Sequence, residues 1–122
     1  MSDAVVDVVQ AQLDAYNAKD LDALLATYAD NARQYLYPAE LVAEGHAAIR
    51  ARMALRLAEP DLHARLLRRE VFGNVVIDDE IVTRNFPEGR GTVRMTMLYR
   101  VADGRIQDAS TIMGEVVMET GR

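Results

Sequence analysis

Glu70-Val71-Phe72-Gly73-Asn74-Val75-Val76-Ile77 is the stretch from which the fold is read. A two-residue Gly-Asn loop between runs of β-branched and aromatic residues signals a β-hairpin, because the tight turn needs positive φ. Its arms run over residues 62–72 and 75–86. The turn sets Arg69 opposite Asp78, Leu67 opposite Glu80, Arg65 opposite Val82 and His63 opposite Arg84. Side chains alternate along a strand, so this register puts His63, Arg65, Glu80, Val82 and Arg84 on one face. Downstream, residues 87–91 (Pro-Glu-Gly-Arg-Gly) read as a turn. Residues 92–101 then alternate, with Val93, Met95, Met97, Tyr99 and Val101 on one face. Asp103-Gly104 is a further turn, and 105–118 the last strand.

Upstream the apolar period changes. Val5, Val6, Val9, Leu13 and Tyr16 recur at helical spacing over residues 3–18. Asp20 suits the N-cap of a second helix over 21–28. Residues 33–37 read as a short strand stopped by Pro38, and 40–44 as its return. A third helix over 47–57 carries Ile49, Met53 and Leu57 on one stripe and ends before Pro60. Helices followed by an antiparallel meander make an α+β domain with helices on one face of a sheet.

The chain has 122 residues, enough for one domain, residues 1–122, that buries a core without staples. Half the residues are apolar, which argues for a globular protein. The net charge of −5 argues against a nucleic-acid partner, whose affinity rests on phosphate neutralisation. No apolar run is long enough for a membrane span. Met1-Ser2-Asp3-Ala4-Val5 lacks the basic and apolar regions of a signal peptide, so the expected compartment is the cytoplasm. With no cysteine and two distant histidines, His46 and His63, no metal site is expected. No phosphate loop or dinucleotide fingerprint suggests a cofactor.

The stretch from Asp20 to Ala32 (Asp-Leu-Asp-Ala-Leu-Leu-Ala-Thr-Tyr-Ala-Asp-Asn-Ala) resembles the second-helix signature of the SnoaL-like and ketosteroid-isomerase-like proteins, within the nuclear transport factor 2-like superfamily. Gly45 before a helix with Ile49, Asp103-Gly104-Arg105-Ile106, and Glu115-Val116 match further elements of that family in order. The resemblance implies three helices packed on a strongly curved mixed or antiparallel sheet, a cone-shaped cystatin-like roll enclosing an apolar pocket. It also implies a homodimer formed through the outer sheet face. The steroid isomerases of the family move a proton beside a ketone, using a carboxylate base and two oxyanion donors. The resemblance sets those three roles at Leu36, Gln12 and Met97. None supplies the usual group, so the usual mechanism is excluded while the pocket is kept.

The polar chemistry is then expected elsewhere. Aligned to the family, the hairpin face is the concave one, giving a pocket walled by Leu36, Met53, Val82, Met95, Met97 and Met113. Glu80, Arg84, Arg65 and His63 share it, and Gln12 and Tyr16 reach it from the first helix. Three readings follow. An isomerase, cyclase or dehydratase would use Glu80 as base, Arg84 and Arg65 to hold an oxygen of a small apolar carbonyl compound, and His63 as a relay. A binding protein would use Arg84 or Arg65 to grip an apolar ligand ending in a carboxylate. A dimeric scaffold would fill the pocket with its own side chains.

Overall fold

The computed structural model of the protein describes residues 2–119. Met1 and residues 120–122, which the one-domain reading takes in, lie outside the described residues. The order of elements is α1 (Ser2–Ala18), α2 (Leu21–Ala26), β1 (Tyr28–Leu36), β2 (Glu40–Glu44), α3 (Gly45–Leu57), β3 (His63–Phe72), β4 (Val75–Phe86), β5 (Gly89–Ala102) and β6 (Arg105–Met118). No helix among the described residues is long and apolar enough to cross a membrane.

Local chemistry explains where the elements begin and end. The Asp20 carboxylate accepts a hydrogen bond from the Ala23 N–H at 3.0 Å, satisfying a donor that the first turn of α2 leaves without a helical partner. α2 stops at Ala26, short of the expected end, and β1 begins at Tyr28 rather than Arg33. The cause is tertiary. The Ile106 N–H donates to the Thr27 carbonyl, and Tyr28 pairs with Ile106 of β6. Strand pairing therefore claims residues that local periodicity assigns to a helix. At the other end, Phe86 pairs with Gly89, so the turn contracts to Pro87-Glu88 and β5 starts earlier than expected.

The six strands form one open mixed sheet in the order β2-β1-β6-β5-β4-β3. β1 and β6 run parallel and every other pair is antiparallel. The three helices pack on it, α3 against β1 and β2, α1 across β3 to β6. Register shifts at Val42 of β2, Leu67 of β3 and Gln107 of β6 mark bulges, which bend the strands that carry them. The core lies between helices and sheet and includes Val9, Leu24, Ile49, Val76, Val93 and Ile106, all fully buried.

One bulge corrects the expected hairpin register. Beside the Gly73-Asn74 turn, Arg69 pairs with Asp78 as alternation requires. Beyond it Leu67 is an extra residue. Leu66, not Leu67, faces Glu80; Ala64, not Arg65, faces Val82; and His63 faces Thr83. Because side chains alternate with period two, this slip sends Ala64 and Leu66 inward and leaves His63 and Arg65 exposed. The physical reason is the apolar phase of the strand. Leu62, Ala64 and Leu66 share one phase, Arg69 and Val71 the other, and only an inserted residue places both sets inside.

Candidate functional site

A cavity of about 260 Å³ lies between the sheet and the inner sides of α1 and α3. It is open space, not a pocket filled by the protein's own side chains. Its wall is mostly apolar, with Leu36 from β1, Met53 from α3, Met95 and Met97 from β5, and Met113 from β6. Unbranched thioethers suit an adaptable wall.

The polar groups arrive from six elements, and most are tied in pairs. Gln12 and Tyr16, one helical turn apart on α1, both face the cavity. The Tyr99 hydroxyl donates to Gln12 Oε1 at 3.1 Å, leaving the Gln12 amide N–H groups for another acceptor. Gln34 is engaged at both ends: its Nε2 donates to the Tyr28 hydroxyl at 3.4 Å and its Oε1 accepts from Arg52 Nη1 at 2.7 Å. Burial pushes the Tyr28 phenol up to about 12 and raises those of Tyr16 and Tyr99 as well. These phenols are hydrogen-bond donors at neutral pH and not bases.

Glu80 differs from the rest. It projects from β4 onto the cavity, is 4% exposed, and takes part in none of the side-chain hydrogen bonds or ion pairs among the described residues. Burial pushes its carboxyl up from 4.5 to about 7. Asp78, two residues along the same face, adds to the rise; Arg69 opposes it; Asp79 adds again. Arg69 is not free to neutralise Glu80, because its guanidinium is committed to Asp78 through bonds of 2.7 and 2.9 Å.

A raised carboxyl has a consequence for stability. Between pH 4.5 and 7 the folded chain holds a proton on Glu80 that the unfolded chain has released, so stability falls as pH rises through this window. The loss is complete above pH 7 and amounts to about 3 kcal/mol. Glu80→Gln carries no such proton. Urea unfolding at pH 4.5 and pH 8 is therefore expected to show the variant gaining on the wild type by roughly that amount at the higher pH. Parallel pH profiles for the two proteins would remove Glu80 as an abnormal acid.

The structure brings Glu80, Gln12, Tyr16, Leu36 and Met53 to one cavity with Met95, Met97 and Met113. It does not bring the other expected residues there. His63 and Arg65 lie on the outer face for the reason given by the Leu67 bulge. Arg84 is held away by Glu59, with bonds of 2.6 and 3.1 Å, and its guanidinium carbon sits 5.1 Å from the Phe86 ring centre. Val82 is fully buried in the core and does not line the cavity.

In their place stand Arg52 and Arg56, which reach the cavity from α3. Their signal was present in the sequence: Arg52 follows Ile49 by three residues, and Arg56 follows Met53 by three, so both flank the apolar stripe of the helix. Gln34 shares the inward phase of Ala32 and Leu36 along β1, a pattern equally legible. Among the described residues no three acidic or histidine side chains converge as metal ligands. The cavity's chemistry is that of one carboxyl, amide and phenol donors, and guanidinium groups.

Comparison with known proteins places this arrangement. A family model described as a SnoaL-like domain matches residues 9–109. Among solved structures, a cystatin-fold protein of Novosphingobium aromaticivorans is similar, with a TM-score of 0.82 and 24% identity over 88% of this chain and 97% of that one. A candidate polyketide cyclase of Sinorhizobium meliloti has a TM-score of 0.71 and 28% identity over 86% and 93% of the two chains. An LEH-like epoxide hydrolase of M. tuberculosis has a TM-score of 0.78 and 16% identity over 90% and 82%. No protein of curated function matches.

Proposed function

We propose, for a chain that belongs to the SnoaL-like domain family, that it moves protons on a small apolar carbonyl compound, with Glu80 as the acid–base group. The observation that carries this reading is the Glu80 carboxyl itself: buried, unpartnered among the described residues, facing an apolar cavity, and poised near pH 7. A general base works best when its pKa lies near the working pH, since both protonation states are then accessible. In the proposed reaction, ionised Glu80 takes a proton from the carbon beside a carbonyl. The negative charge moves to the carbonyl oxygen, where a Gln12 N–H or the Tyr16 hydroxyl stabilises it. Return of the proton to a different carbon completes an isomerisation; ring closure or loss of water from the same intermediate completes a cyclase or dehydratase reaction. Similarity to a candidate polyketide cyclase supports carbonyl chemistry in a cavity of this kind.

The test is exchange. The protein is incubated in deuterium oxide with a panel of cyclic ketones, and NMR follows loss of the protons beside each carbonyl. Catalysed exchange on any member is the expected result. No exchange on any member would overturn the reading and favour a cavity that only binds its ligand.

We also propose that the protein is a homodimer. The support is apolar surface: Ile112 on the outer phase of β6, and Val116 and Val117 towards its end, are at least 36% exposed. Light scattering on the eluted protein is expected to give twice the chain mass, and a monomer mass would refute it.

A further inference from the structure

The arginines of this protein are, with few exceptions, neutralised in place. Among the described residues, every arginine except Arg52 and Arg65 lies within 4.0 Å of a carboxylate. Arg65 is exposed on the outer face, where water solvates it. Arg52 is half-buried at the cavity, and its one protein partner is the neutral amide oxygen of Gln34. Burial lowers its pKa, and the neighbouring Arg56 lowers it further, which records a cation placed where charge is costly.

The surroundings do not relieve it. Arg56, one helical turn on, shares the single carboxylate of Glu59 with Arg84: Arg56 Nε lies 3.5 Å and Arg84 Nη2 2.6 Å from Glu59 Oε2. Arg52 thus has no carboxylate of its own, and the one beside Arg56 is divided between two guanidinium groups, in a protein whose net charge is −5. A half-buried, uncompensated guanidinium is expensive unless something anionic visits it. The bond to Gln34 uses one of five N–H donors and fixes the side chain, leaving other donors in a planar fork.

We propose that the substrate carries a carboxylate and that Arg52 holds it, with Arg56 beside it, while the apolar remainder of the molecule fills the methionine-walled cavity. The inference rests on the cavity being the substrate site of the proposed function. It does not depend on Glu80 being the base. It moves the anion-gripping role from Arg84 and Arg65, which the fold directs elsewhere, to a residue the fold leaves uncommitted. A carboxylate is favoured over a phosphate because Arg56 already faces Glu59, so Arg52 offers the one uncommitted positive charge, which a monoanion matches and a dianion exceeds.

Calorimetric titration of the full chain with matched probes tests this. Cyclohexanecarboxylate and 2-naphthoate are compared with their primary amides, which keep the shape and lose the charge, and with cyclohexylphosphonate. The acids are expected to bind roughly tenfold or more tightly than the amides, as a charge-assisted hydrogen bond warrants. Arg52→Met is expected to abolish that preference. Arg52→Lys, which keeps the charge without the fork, should restore part of it, and would do so even if the methionine variant failed to fold. Glu80→Gln should retain acid binding. Equal binding of acids and amides, no saturable binding of either acid, tightest binding of the phosphonate, or an undiminished preference in Arg52→Met would each overturn the proposal. Acid preference without any ketone exchange would sink the proton-transfer reading alone; exchange without acid preference would sink this one alone.

Discussion

Glu80→Gln is expected to slow proton exchange on the ketones that the wild type turns over by about 10²- to 10⁴-fold, the usual contribution of a positioned general base. The amide has nearly the volume of the carboxyl and can occupy the same place on β4, but it cannot accept a proton. The wild-type rate should rise with pH and level off above about 7, because the ionised form of Glu80 is the working one and its pKa lies there. The residual rate of the variant should lack that rise. Measuring both profiles by NMR separates a lost base from a damaged fold: a misfolded variant loses ligand binding as well, whereas loss of the base leaves binding intact. A variant that exchanges at the wild-type rate would move the chemistry away from Glu80.

The second large effect is on stability. Asp78 is fully buried, and Arg69, whose side chain is 14% exposed, grips it with two parallel hydrogen bonds while donating a third, of 2.9 Å, to Gln10 of α1. Removing one partner of such a pair leaves a charge inside the protein without compensation, at a cost of about 3–5 kcal/mol. Asp78→Ala should therefore lower the unfolding free energy by that amount in urea, a large share of the total for a domain of this size. It should also lower the pKa of Glu80, since Asp78 helps to raise it and the released Arg69 would be free to approach. The pH at which exchange levels off would move down. A change below about 1 kcal/mol, the range of an exposed pair, would show that the bridge is solvated in solution.

Much of this was legible before any coordinates. The 3.6-residue period of α1 and α3, the aspartate cap of α2 and the Gly73-Asn74 turn are local signals, and each marks its element. The family pattern carried the fold and placed Leu36, Gln12 and Met97, which do line the cavity. The errors lie where distant parts of the chain decide. Tyr28 joins a strand because Ile106 is there to pair with it. Arg84 turns from the cavity because Glu59, twenty-five residues earlier in the sequence, captures it. The bulge at Leu67 was different in kind: its evidence, a change of apolar phase between Leu66 and Arg69, sits within the strand. Regular alternation counted from the turn cannot register a change of phase. Arg52 is hard to read for a related reason: apolar periodicity marks the centre of the buried stripe of α3, and the cavity-lining arginines stand at its edges.

The Leu67 bulge also bears on how such a cavity can change over evolutionary time. Substitution alters a pocket one side chain at a time. In β3, if Leu67 were drawn into the ladder as a regular residue, the whole preceding segment would rotate by half a period, withdrawing Ala64 and Leu66 and presenting Arg65 and His63 to the interior. An apolar wall would become a basic one without any side chain being exchanged, with the sheet order and the helices untouched. In folds that wrap a curved sheet around a cavity, the place of a bulge is thus an inherited variable of binding chemistry in its own right, and two relatives can differ in what they hold because of where a strand carries its extra residue rather than which residues were exchanged.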